Sequence, residues 1–237
     1  INLITRAPSF DGTPGVGGRV AYRYGSAGAQ SKTEALVNGR SGGWAFELAG
    51  AARVAGNYDA PGGRFGNITL KNKTTLMDGG VRDNNARAYV GWRGKGGTGA
   101  FAKVERYVAD DAGFGFIPPE LLAGNQTKIQ ILYPHQDFQK LTLGYGAGSL
   151  GFPVADKVDV TVYASANKRD LAQNIFAPFG PGTPPGAGVE IHTRNFTNLG
   201  SVGFRAEATK VLAKDVITYG ADFFRDQSAN TDSSQTT

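Results

Sequence analysis

Apolar and polar residues alternate at every second position over much of this chain, most clearly from Asn195 to Gln227. There Val202 and Phe204 fall on one side of an extended segment, and Arg205 and Glu207 fall on the other. A period of two predicts β-strands that have one apolar and one polar face. The charged residues lie in mid-strand, which is typical of a strand whose polar face is wet.

The same alternation recurs along the chain and predicts an all-β, antiparallel protein with nine long strands. The predicted segments are Gly18–Gly25, Lys32–Arg40, Trp44–Gly56, one beginning at Ala86, one beginning at Ala100, Phe138–Leu150, one beginning at Val158, and the two strands of the Asn195–Gln227 hairpin. A shorter apolar segment, Ile1–Arg6, precedes them.

The connections after the third strand alternate between short and long. The long ones are Asn57–Asn84, Asp110–Gln136 and Gln173–Arg194. Outer-membrane β-barrels have short periplasmic turns and long extracellular loops. Trp44 and Trp92 flank short turns, as the aromatic girdle of such a barrel requires. We therefore expect the apolar faces to point to lipid and the charged faces to line a lumen.

Composition narrows the function classes. With 35 Gly and 14 Phe the chain disfavours helices, and without Cys it has neither disulfides nor thiolate chemistry. Its net charge of +5 is spread over many segments without a basic run, which argues against a nucleic-acid partner. It has two His and no nucleophile–base constellation, so we expect no enzyme activity and no required cofactor.

Two other readings of the pattern stay open. A soluble carbohydrate-binding β-sandwich would turn the apolar faces into a dry core, and a passive porin would form a barrel without a plug. The repeated charges in mid-strand favour a barrel over a sandwich.

The start of the chain resembles a known family. INLITRAP, from Ile1 to Pro8, followed by VGGRVAYRYGSAG, is similar to the junction between plug and barrel in TonB-dependent outer-membrane receptors. The resemblance implies that residues 1–15 are the end of the plug domain with its link, and that residues 16–237 are the N-terminal part of the barrel. Large transporters of the outer membrane have 22 strands. The expected fold is therefore a partial transmembrane β-barrel, with about nine strands of a larger one and a plug remnant.

The resemblance implies active uptake of a scarce iron-containing solute across the outer membrane of a Gram-negative bacterium. The energy would come from the TonB–ExbB–ExbD complex acting on the plug. Outer-membrane lipid and lipopolysaccharide would surround the barrel, and the ligand would be a small molecule or a haem protein. The segment Ile1–Arg6 distinguishes this function from that of a porin.

The sequence leaves two alternatives for the ligand, haem and a ferric siderophore. TYGADFFRDQ and YPHQDFQKLTLGY resemble the haem, haemoglobin and transferrin receptor branch, in which His135 and His192, both placed in long loops, would be haem-iron ligands. A ferric siderophore would instead suit stacking and charge from the aromatic and basic residues near the loops. The candidate ligand-binding residues are His135, His192, Tyr133, Phe114, Phe116 and Arg194, with Tyr107 added for a siderophore.

Overall fold

The computed structural model describes residues 8–66, 68–71, 73–118, 127–180, 184 and 186–237. The protein is all-β, with 76% of its residues in strands and 3% in helix. Within these ranges no helix is long and apolar enough to cross a membrane. The predicted plug remnant, Ile1–Arg6, lies outside the described residues.

Thirteen strands are formed by the described residues, and two short 3-10 turns occur at Ala27–Ala29 and Lys95–Gly97. The strands are β1 (Gly15–Gly25), β2 (Gln30–Ser41), β3 (Trp44–Ala55), β4 (Tyr58–Ala60), β5 (Gly63–Phe65), β6 (Ile68–Leu70), β7 (Thr74–Leu76), β8 (Val81–Arg93), β9 (Gly99–Gly113), β10 (Lys128–Gly148), β11 (Lys157–Pro178), β12 (Gly188–Val211) and β13 (Val216–Thr236).

One sheet dominates the described part of the chain. It contains nine strands in the order β1-β2-β3-β8-β9-β10-β11-β12-β13, and each pairs antiparallel with its neighbours. The predicted nine antiparallel strands are thereby confirmed. The sheet is open, because β1 and β13 each pair on one side only. Between β3 and β8 the chain forms two small pairs, β4 with β7 and β5 with β6.

The register sorts the side chains into two chemically different faces. One row runs across the sheet through Val37, Leu48, Ala88, Val104, Leu141, Ala164 and Val202. The adjacent row on the opposite face runs through Asn38, Glu47, Tyr89, Lys103, Thr142 and Tyr163. Successive side chains of a strand point to opposite sides, so apolar and polar residues are separated across the whole sheet.

The polar face is the less exposed of the two. On β10, Thr142 is buried, whereas Leu141, Leu143 and Tyr145 are 42–52% exposed. The elements in extensive contact are neighbouring strands, so packing of a second layer does not explain the difference. The sheet therefore curves, with its polar face concave and its apolar face convex.

A dry core between two layers is not part of this architecture. Among the described residues no large side chain is fully buried, and the one large sheet has no second large sheet facing it. Val202, Phe204, Ile217, Tyr219 and Phe223, which we expected on one face, are all exposed on the convex side, and Arg205, Glu207 and Glu47 lie on the concave side. A β-sandwich needs the opposite burial of these residues.

The strands extend further than the alternation predicted. The predicted loops Asn57–Asn84, Asp110–Gln136 and Gln173–Arg194 were too long, because β8, β9, β10, β11 and β12 all continue into them. In these extensions polar residues occupy both faces, so the period of two disappears although the backbone ladder continues. A register shift between Leu132 and His135 further interrupts the pattern on β10.

The two ends of the sheet differ. At one end, which we call the turn end, the chain reverses at 42–43, 94–98, 149–156 and 212–215. Gly42 and Gly43 have φ of 56° and 83°, which a two-residue hairpin turn requires. At the other end, the loop end, three of the four connections are longer and contain residues 56–80, 114–127 and 179–187.

Candidate ligand-binding surface

The concave face is lined by charged side chains that are mostly neutralised in pairs. Some pairs join residues two apart on one strand, such as Lys103 Nζ with Glu105 Oε2 at 3.0 Å. Others cross between strands, such as Arg87 with Glu47 and Arg53 with Asp83. The carboxylates of Glu47 and Asp83 are largely buried, and a buried carboxylate is costly unless it is paired and hydrogen-bonded. The ion pairs therefore reduce the cost of burying these charged groups on the concave face.

Near the loop end of the concave face, aromatic rings gather around a guanidinium group. The carbon Cζ of Arg169 lies 5.9 Å from the ring centre of Tyr133, and the Tyr133 ring lies 6.0 Å from that of Phe114. Phe114 is 69% exposed, so its ring is accessible from outside the sheet. We call Arg169, Tyr133 and Phe114 the concave-face cluster. Cation and ring faces at these distances attract each other and also suit a planar anion.

Arg169 has unused bonding capacity. Within the described part of the chain, no carboxylate lies within ion-pair distance of its guanidinium group, and its buried Nε has no hydrogen-bond partner. A buried N–H that lacks a protein partner normally finds water or a ligand. The guanidinium group is therefore the strongest candidate in the cluster for binding an anionic group.

A second cation–ring contact lies closer to the middle of the concave face. Lys140 Nζ is 4.8 Å from the ring centre of Tyr163. Beside it, an open hollow of about 620 Å³ is lined in part by Lys140, Arg87, Glu105 and Tyr107. Tyr107 and Phe138 are cross-strand neighbours here. Together with the ring of Tyr163, this hollow and the concave-face cluster place five aromatic rings on one side of the sheet, alongside cations that include Arg87, Lys140 and Arg169.

The two histidines are not brought together with this surface. His135 lies on β10 and His192 on β12, so the prediction that both are in loops was wrong. His135 Nδ1 contacts Asp110 Oδ1 at 2.7 Å, and His192 Nδ1 contacts Asn174 Oδ1 at 2.8 Å. Both belong to register rows of the convex face.

The histidines are also too far apart to share an ion. Asp170, which is paired with His135, and Asn174, which is paired with His192, are four residues apart on β11. The strand spacings then separate the two histidines by roughly 16 Å. Among the described residues, no group of three His, Asp or Glu side chains could hold a metal ion.

The other predicted site residues lie in three different places. Tyr133 and Phe114 belong to the concave-face cluster. The ring of Phe116 lies 4.8 Å from Lys128 Nζ, and the Phe116 backbone pairs with Met77 of the preceding loop. Arg194 lies on β12, where its Nε donates a hydrogen bond to Asp170 Oδ1 at 2.9 Å. Its charge is therefore already compensated.

Arg169, Phe138 and Lys140 were missed by the sequence analysis. On β11, Thr161, Tyr163 and Ser165 all lie on the concave face. Every second residue after them lies on the same face, and Arg169 is one of these. That signal could be used only if β11 was known to extend beyond Ser165 to Arg169.

Comparison with known proteins does not identify a family or a function for this chain. No protein-family model matches the chain, and a search of curated proteins returns no significant match.

Proposed function

We propose that this chain forms part of the wall of an outer-membrane β-barrel, and that the barrel is a TonB-dependent receptor for a scarce iron-containing solute. The main support for a membrane barrel is the continuous apolar band on the convex face. Val20, Leu48, Val104, Phe204 and Phe223 of that band are 42–77% exposed. Soluble monomers rarely expose apolar patches of such extent. Lipid is the environment in which this face and the charged concave face are both favourable.

The position of the apolar band supports a tilted barrel wall. On β1 the band reaches Tyr24, which shares a register row with Val54 of β3. On β13 it ends at Phe223, whose row contains Phe46 of β3. The loop-end boundary of the band therefore shifts along the register by roughly one residue per strand. Tilted strands with a fixed shear need such a stagger to keep the band level with a membrane.

The open edges are consistent with a larger barrel. Nine strands that alternate in direction leave β1 and β13 running the same way, so these two edges cannot pair antiparallel with each other. In lipid, unpaired edge groups cost several kcal/mol each. Closure by further antiparallel strands removes that cost, as our partial-barrel proposal requires.

A receptor is favoured over a porin by the chain that precedes β1. Phe10 and Asp11 lie against the concave face, where both contact Arg93. In a plugged receptor the plug is inside the barrel, so its link to the first strand has to cross this face. A porin has no such segment, and the contacts of Phe10 would then have no role.

The ligand that best suits the concave face is an anionic iron complex with planar groups that can stack on rings, either haem or a ferric siderophore. Rings of the concave-face cluster offer stacking, and Arg169 offers charge together with an unused N–H. His135 and His192 lie on the convex face, whereas a ligand that crosses the lumen meets the concave face. They are therefore weaker candidates for ligand binding than the sequence alone indicated.

Tryptophan fluorescence tests the membrane assignment. Trp44 and Trp92 are direct cross-strand neighbours on the convex face and are 55% and 37% exposed. In vesicles that contain brominated lipid, we expect both to be strongly quenched, more by bromine near the headgroup than by bromine near the chain end. A matched control moves the fluorophore to the concave side, with Tyr89→Trp in a Trp44→Phe, Trp92→Phe background. Equal quenching of the parent and this control would refute the proposed orientation.

Growth on defined iron sources tests the transport assignment. Cells that lack the protein should lose growth on haem or on one ferric siderophore as sole iron source, and loss of TonB should have the same effect. The purified Arg169→Ala variant should bind the ligand more weakly than the parent. The double variant His135→Ala, His192→Ala should bind it as the parent does. Normal growth of the deletion strain on every iron source would refute the function and leave the barrel proposal standing.

A further inference from the structure

The segment before β1 is held on the concave face by two arginines. The carbon Cζ of Arg93 lies 4.7 Å from the ring centre of Phe10, and Arg93 Nη1 bonds Asp11 Oδ1 at 2.9 Å. From β2, Arg40 Nε donates a hydrogen bond to the carbonyl oxygen of Thr13 at 3.0 Å. We call residues 10–13 the strap, and Arg40 and Arg93 its two anchors.

Small residues make room for the strap. A Cβ on Gly91 would lie 2.8 Å from Cζ of the Phe10 ring, so only glycine allows the ring its position. A Cβ on Gly12 would lie 2.6 Å from Nη2 of Arg40, and Gly12 has a φ of 109°, which side chains disfavour. Two glycines on two different segments therefore fit the strap to the sheet.

The sheet beneath the strap is closed to solvent. Ala45 is 0% exposed and lies in one register row with Arg40 and Gly91. Alanine is too small to bury itself, so neighbouring side chains cover this row, and over Gly91 these are the rings of Phe10 and Tyr89. Beside it, the rings of Tyr89 and Phe101 are stacked with centres 5.6 Å apart. Beside its two arginine anchors, the floor of the strap thus consists of small and aromatic residues.

We propose that the strap is a reversible cover over the turn end of the concave face, released by breaking its contacts with Arg93. Its described hydrogen bonds to the sheet run through the side chains of Arg40 and Arg93, and none belongs to the strand ladder. Side-chain contacts of exposed groups are individually weak, whereas the ladder of β1 begins only at Gly15. The strap can therefore open while every strand of the sheet keeps its pairing.

Release would uncover a patch of small and aromatic residues beside Arg40 and Arg93 at the turn end. This inference needs only the contacts of residues 10–13 and is independent of the ligand. It can therefore fail while the transport function holds, or hold while that function fails.

Cysteine labelling tests the strap, because the chain contains no other thiol. We place a cysteine at Ala45 and measure its rate of reaction with a water-soluble maleimide. The rate should be low in A45C alone and should rise at least tenfold when Arg93→Gln is added. Arg205→Gln is the matched control, since it also breaks a concave-face ion pair, with Glu207 at 2.9 Å, far from the strap. Its labelling rate should match that of A45C alone.

Limited proteolysis gives a second measurement that needs no cysteine. In Arg93→Gln and in Gly91→Val, an aspartate-specific protease should cut the chain at Asp11 at least tenfold faster than in the parent, while amide exchange in the ladders of β2 and β3 stays unchanged. Fast labelling of A45C with the anchors intact would overturn the proposal. Unchanged cleavage at Asp11 in both variants would overturn it too, and so would a loss of amide protection that spreads through β2 and β3.

Discussion

Replacing Val162 by arginine gives the sharpest test of which face meets lipid. Val162 lies on the convex face with Leu143 and Phe204 as its cross-strand neighbours. In water the substitution would change an exposed side chain and cost little. In a membrane it would place a charge among apolar neighbours, so the same change has two very different expected costs.

The size of the cost follows from the position of Val162 in the apolar band. Towards the loop end, the row that contains Gln139 and Ala166 is four residues away along β11, or about 13 Å. Towards the turn end, the apolar row of Val158 is equally far. A guanidinium group at Val162 cannot reach polar surroundings on either side without distorting the bilayer. We therefore expect a loss of about 2–4 kcal/mol in the free energy of unfolding.

The assay is denaturant unfolding of the protein in lipid vesicles, followed by tryptophan emission. Ala166→Arg, at the border of the band and next to Lys168, should cost only about 0–1 kcal/mol. Thr161→Arg, one position from Val162 but on the concave face beside Arg205 and Gly144, should be tolerated much better than Val162→Arg. Equal costs for the Val162 and Thr161 variants would refute the face assignment.

Two further substitutions probe packing and loop anchorage. Gly144→Ala should destabilise the protein by about 1–3 kcal/mol in the same titration, because its Cβ would collide with the ring of Phe101. Gly200→Ala is its control and should be neutral or stabilising by up to about 1 kcal/mol, since only one backbone oxygen lies within 4.0 Å of the new atom. Asn174→Ala should speed amide exchange around Asp78, because Asn174 links His192 to Gln130, which bonds Asp78; unchanged exchange there would contradict this chain of bonds.

The number of long strands and the two faces of each were predictable because both depend on local alternation. Trp44 and Trp92, predicted near one level beside short turns, are in fact direct neighbours in the register. Period two survives wherever one face is apolar, as it does from Val158 to Ala164 on β11. Beyond that band polar residues fall on both faces, so alternation does not mark the continuation of β11 to Pro178.

The candidate site was less predictable because it depends on register between distant segments. Tyr133 and Phe114 were identified by residue type, but their partner Arg169 comes from a strand extension that alternation does not reveal. Tyr133 lies within the register shift between Leu132 and His135, so counting positions along β10 cannot tell its face. Residue chemistry therefore identified part of the cluster, and only the pairing of strands located it.

The stability of the turn end should depend on pH through one carboxylate outside the strands, that of Asp156. Asp156 lies in the turn between β10 and β11, and its Oδ2 accepts a hydrogen bond from the backbone N–H of Val211 at 2.8 Å. Its Oδ1 accepts another from Lys210 Nζ at 2.9 Å. The first contact and then the second stabilise the charged form, so they hold the pKa of Asp156 below its ordinary value of 3.8.

The sign of the pH effect follows from that lowered pKa. When the folded-state pKa lies below the unfolded one, the carboxylate adds stability above the unfolded value, and this contribution is lost as the pH falls through the folded value. Asp156→Asn should therefore be less stable than the parent at neutral pH, and the difference should shrink as the pH falls below about 4. The measurement is the denaturation midpoint across that range, with Asp215→Asn in the next turn as control. A difference between Asp156→Asn and the parent that stays constant down to the lowest pH would show that the two hydrogen bonds do not depend on the charge of Asp156.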